Sequence, residues 1–137
     1  MLASVMIFLS ALIIAVLGLI HLVYTFSGSK LVPRSVNVRV AMEAESPGIT
    51  TETTMWKAWV GFNASHSIGA ILFGLIYGFL AFAHPDLLFG SVYLSAVGLA
   101  TLAALLFLAK RYWFSIPFRG IAASLLIYIV GQFVARL

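Results

Sequence analysis

Long apolar runs broken by a few polar residues organise this chain. From Leu2 to Phe26 only Ser4, Ser10, His21 and Thr25 interrupt the first run with plainly polar side chains. Three more runs follow, from Trp56 to Ala83, from Leu87 to Ala109 and from about Ile116 to Val134. A helix needs about 20 mainly apolar residues to cross a hydrocarbon core about 30 Å thick, and all four runs meet that length. The pattern predicts an all-α protein: an integral membrane antiparallel four-helix bundle with spans at about 2–26, 56–83, 87–109 and 116–134. These spans form a single domain over residues 1–137. The 84–86 and 110–115 connections are short, so the helices they join must be antiparallel neighbours. The first run lacks the basic n-region and small-residue cleavage site of a secretory signal, and it reads as an uncleaved span.

Only the loop between the first two spans is long. Its stretch "RVAMEAE" favours helix, and a lone strand there would leave an unpaired edge. A short interfacial helix is expected from about Ser35 to Glu45, ended by Pro47 and Gly48. Thr50 or Thr51 would cap the helix that follows, placing Trp56 and Trp59 at headgroup depth, where amphipathic rings settle.

Composition agrees with a membrane protein. Of the 137 residues, 63% are hydrophobic and 9% charged, against about 25% charged in a soluble domain. Cytoplasmic loops carry an excess of Lys and Arg. Lys30, Arg34, Arg39 and Lys57 flank the first loop, Lys110 and Arg111 lie in the third with Arg119 close by, and the opposite face has Arg136 alone. Both termini are therefore expected on the non-cytoplasmic side. The net charge of +4 becomes a basic rim facing anionic headgroups, which makes membrane lipids the expected partners. No basic stripe with interleaved aromatics points to nucleic acid. The chain has no cysteine, which removes thiol chemistry and disulfides.

The unusual stretch is "GFNASHSIG", residues 61–69, near the start of the second span. At about 1.5 Å per residue, Asn63 lies about 10 Å and His66 about 15 Å beyond Trp56, in the hydrocarbon. Asn63, His66, Ser67, Ala70, Gly74 and Tyr77 recur at i, i+3, i+4 spacings and form one stripe, while Phe62, Ile68, Leu72 and Phe79 belong to other faces. Hydrocarbon offers polar groups no partner, so the stripe must face protein or water. Span one offers a matching face of Gly18, His21, Tyr24 and Thr25. His21 lies about 7 Å inside the end of that span, close to the depth of Asn63. Ionisable groups inside a membrane point to function, and His21, Tyr24, Trp59, Asn63, His66 and Ser67 form the candidate ligand-binding set. Ser65 and Ser67 have a structural role open to them as well, because their hydroxyls can bond back to their own helix.

A second candidate lies at the third loop. Ser115 as cap and Pro117 in the first turn would start the fourth helix, and Lys110, Arg111 and Arg119 beside it would hold a lipid headgroup or simply anchor the topology. Ser124, Tyr128 and Gln132 form a milder stripe suited to bonds between helices. His84 in "AHPD" reads as a polar turn residue.

No Asp or Glu falls inside a span, which removes carboxylate-based proton coupling and carboxylate-bridged di-iron chemistry. Three histidines without a carboxylate or thiol make a poor zinc site, so no metal is expected. The cofactors that fit are a quinone, or haem through a histidine, although the depths of His21 and His66 differ by about 7 Å, against one haem held between them. The expected function is a membrane binding module or accessory subunit that holds an amphipathic ligand, a quinone, lipid or haem, in a polar pocket between spans one and two. A small oligomeric transporter or channel and an intramembrane enzyme with a histidine base are the alternatives. A homo-oligomer or a place in a larger membrane complex is compatible with either. "GLIHLVYTF", a basic loop and "MWKAWVGFNASHSIGAILFGL" together resemble an uncharacterised group of small bacterial four-span membrane proteins with a G-F-N-x-S-H-S signature. The resemblance covers about a third of the chain. It implies a bacterial inner-membrane protein of unassigned activity and carries over no catalytic residue.

Overall fold

The computed structural model describes all 137 residues, and the chain is helical with no strand. Its elements are α1 (Leu2–Phe26), α2 (Val36–Ala44), α3 (Met55–Ala83), α4 (Pro85–Gly90), α5 (Val92–Tyr112) and α6 (Ser115–Val134). Four of them, α1, α3, α5 and α6, are long and apolar enough to cross a membrane.

The loop helix α2 falls where the sequence places it, flanked by Ser35 and Glu45. Three local details differ. The third span starts later than Leu87: Pro85, with no N–H to satisfy, opens the short helix α4. Ser91 then ends α4 and restarts the chain as α5, its hydroxyl accepting from the amide of Leu94 at 3.2 Å. At the head of α3, Thr54 rather than Thr50 or Thr51 provides the cap, accepting from the amide of Lys57 at 3.3 Å. Thr50 instead closes a turn onto the amide of Glu52. Ser115 is the first residue of α6, not its cap; Phe114 holds that position and offers no side-chain bond.

The backbone divides into two compact units, Met1–Leu17 with Ala70–Leu137, and Gly18–Gly69. The first unit holds the apolar core, built around Ile7, Ile14, Leu88, Leu102 and Tyr128. Glycine and serine let its helices approach. A Cβ on Gly74 would stand 2.5 Å from Cβ of Ala15 and 2.7 Å from the Ala11 carbonyl oxygen, so α3 rests almost on the backbone of α1. Ser10 and Ser124 clasp α1 to α6, each hydroxyl donating to the other's carbonyl at 2.8 and 2.9 Å. Tyr128 donates to the carbonyl of Ser95 and accepts from Nε2 of Gln132, whose Oε1 accepts from the hydroxyl of Ser95. Such bonds satisfy polar groups that hydrocarbon would leave bare.

The second unit contains the end of α1, the long loop with α2, and the first half of α3. In α3 the polar stripe turns inward: Asn63 and Ser67 are buried, whereas Phe62 and Ile68 are exposed. The loop bears little core. No residue of α2 is buried, and its far end is tied back by the amide of Met55 donating to the carbonyl of Glu45 at 2.8 Å.

Candidate functional site

Asn63 is oriented by its own helix. Its Nδ2 donates to the carbonyl of Trp59, one turn earlier, at 2.8 Å. That bond aims Oδ1 at α1, where it lies 2.9 Å from Nε2 of His21. A carbonyl oxygen only accepts, so His21 donates from Nε2. The ring of His66 stands edge-on to that of His21, with centroids 5.6 Å apart at 83°. The structure thus brings His21, Asn63 and His66 together.

Counting rise per residue from the ends of the two spans separates the two histidines by about 7 Å. The side chains close the gap for a geometric reason: a helical side chain leans toward the N-terminus of its own helix. On α1, which runs toward the loop, His21 leans deeper; on α3, which runs away from it, His66 leans shallower. The two imidazoles meet in between.

Neighbours complete the arrangement. The hydroxyl of Thr25 donates to the carbonyl of His21 at 2.8 Å. Ser67 is fully buried and donates to the carbonyl of Asn63 at 2.8 Å, so its hydroxyl serves its own helix rather than an open site. Ser65 likewise donates back, to the carbonyl of Phe62. Tyr24 and Trp59 are about two-fifths exposed and line a cavity on the loop side of Asn63. Trp59 also donates from Nε1 to the carbonyl of Leu31 at 3.0 Å.

That cavity is small, about 10 Å³, room for roughly one water molecule. The cavity beside Asn63 is too small in this arrangement for the head of an amphipathic ligand. An edge-on histidine pair at 5.6 Å also leaves no plane for a porphyrin between the rings. Coordination by Nε2 of His21 would cost its bond to Asn63 as well.

Sequence reading missed two loop residues. Leu31 and Val32 wall the cavity, and the guanidinium of Arg39 lies 3.2 Å from the centre of the Trp56 ring. The available signal was the apolar pair Leu31-Val32 set in an otherwise polar loop.

The second candidate group stays at the surface. Lys110 and Arg111 occupy the last turn of α5, Arg119 is exposed on α6, and Arg111 lies 5.4 Å over the ring of Tyr112. The single ion pair in the chain is Arg39 with Glu43, so none of the three cations has a carboxylate partner. His84 caps α4 at the other end of α3, its ring against Phe79. No protein-family model matches the chain, and neither a curated protein nor a solved structure matches it.

Proposed function

We propose that this chain is a multi-pass protein of the bacterial cytoplasmic membrane that binds the polar head of an amphipathic ligand at His21, Asn63 and His66. Both termini lie outside the cytoplasm in this reading, supported by the Lys and Arg of the first and third loops. The observation that carries it is the meeting of two imidazoles and an amide from two membrane helices, with a 2.9 Å hydrogen bond and a 5.6 Å ring contact. Burying ionisable groups in hydrocarbon is costly, and a bond that served only as glue between helices would return about 0.6 kcal/mol on average.

A quinone suits these groups best. Its head is planar and its carbonyl oxygens accept from N–H donors, so Nε2 of His21 would exchange its bond to Asn63 for one to the ligand; its tail belongs among the acyl chains that cover the exposed faces of α1 and α3. Lys110, Arg111 and Arg119 contact anionic headgroups in the same picture. The test is mass spectrometry of the lipid extract from protein purified in mild conditions. Wild-type protein is expected to retain about five times more quinone than His66→Ala or His21→Ala, the loss of about one hydrogen bond, while His84→Ala retains as much as wild type. Equal quinone in all four preparations would refute the reading. Ion flux into liposomes by protein that retains no ligand would move the assignment to a small transporter.

A further inference from the structure

We propose that residues 27–35 together with α2 form a lid over the His21–Asn63–His66 cluster, hinged at Gly28 and held shut by Trp59 and Trp56. The inference rests on reading that cluster as a ligand site, and it says how a head larger than one water reaches Asn63 through the small cavity beside it. Three features of the loop carry it.

The first is the hinge. Gly28 has φ +81°, the single positive φ in the chain, and it follows directly on the last turn of α1, where the amide of Ser27 still donates to the carbonyl of Val23. Nothing lies within 4 Å of where its Cβ would be, so no neighbour crowds the chain there, and glycine adopts this φ without strain. At the far end, the bond from Met55 to Glu45 and the turn from Thr50 to Pro47 fix the second pivot.

The second is how little holds the loop down. With no buried residue in α2, and with Val36 75% and Val40 57% exposed, the segment packs little apolar surface against the rest of the chain. Elements of that kind open at low free energy.

The third is what does hold it. The Nε1–H of Trp59 donates to the carbonyl of Leu31, and Arg39 stacks on Trp56 while its Nη2 pairs with Oε1 of Glu43 at 2.6 Å. Trp59 and Trp56, the aromatic partners in these contacts, line the same cavity as Asn63, Leu31 and Val32. Breaking them uncovers the cluster from the headgroup side.

The chain contains no cysteine, so one introduced thiol reports opening. Val60 lines the cavity. Val60→Cys in lipid nanodiscs is treated with a membrane-impermeant maleimide, alone and combined with Trp59→Phe, which removes the N–H donor together with part of the ring, or with Arg39→Gln. Labelling of Val60→Cys alone should be slow beside Thr51→Cys, an exposed loop position. Each latch substitution should raise its rate about fivefold, the loss of about one weak contact, while buried Ala11→Cys stays unreactive. Rates that do not change, a Val60→Cys already as reactive as Thr51→Cys, or an equal rise at Ala11→Cys would overturn the lid. No ligand enters this experiment, so a lid over a site that binds no quinone still gives the rise. A rigid loop leaves the rates flat even where quinone binds.

Discussion

Gly74→Val is expected to destabilise the fold by about 3 kcal/mol, more than any other single substitution considered in this chain. Even the first added carbon would stand 2.5 Å from Cβ of Ala15 and 2.7 Å from the carbonyl oxygen of Ala11. Both are rigid parts of α1, so neither can swing aside and the two helices must separate. Overpacking of this kind costs about 1 to 3 kcal/mol, and the upper end applies where the obstacle is backbone. Gly61→Val and Gly69→Val on the same helix are the controls: nothing lies within 4 Å of either position, and both should fall within about 0.5 kcal/mol of wild type. Reversible unfolding in detergent, followed by circular dichroism, measures all three.

Tyr128→Phe should lower stability by about 1.5 kcal/mol, close to a tenfold change in the unfolding equilibrium. The Tyr128 side chain is 1% exposed, and its hydroxyl both donates to the carbonyl of Ser95 and accepts from Gln132. Losing it strands Nε2 of Gln132 in the core, and a buried donor left without a partner costs about 1 to 3 kcal/mol. Polar contacts between membrane helices average about 0.6 kcal/mol with a maximum near 1.7, which sets the ceiling. Tyr77→Phe gives the comparison. Its hydroxyl makes one bond, donating to the carbonyl of Leu94 at 2.7 Å, so about 0.6 kcal/mol is expected by the same unfolding measurement.

Much of this architecture is legible in the residues themselves. Four apolar runs give four helices because hydrocarbon tolerates no unpaired backbone and each run is long enough to span. The inward turn of Asn63, Ser67 and Tyr77 follows from helical spacing, since any other rotation would put those groups in lipid. Boundaries were less legible. Pro85 and Ser91 split the hairpin between the second and third long helices into α4 and a fresh start because each serves a helix beginning, and the apolar run across them hides the break. Thr54 won the cap over Thr50 and Thr51 by lying next to the first helical turn, in a stretch where four threonines compete.

The site was legible in its members and not in its closeness. Counting rise per residue puts His66 deeper than His21, while the opposed lean of side chains on two antiparallel helices favours the rings coming together. The size of the cavity is invisible to sequence, because it depends on where the loop lies: the carbonyl of Leu31 meeting Trp59, and Arg39 meeting Trp56, are contacts between residues 28 and 17 positions apart. Those contacts turn an expected pocket into a closed one.

The chain has three histidines, and two of them make the proposed site while His84 sits apart at the cap of α4. Nitrogen NMR of imidazole-labelled protein in lipid therefore tests the central claim directly, as a water-insoluble quinone is titrated into the bilayer. The account predicts that the His21 and His66 signals shift and saturate together while His84 stays still. Signals from His21 and His66 that remain fixed at every quinone concentration, or that move no more than His84, would contradict it.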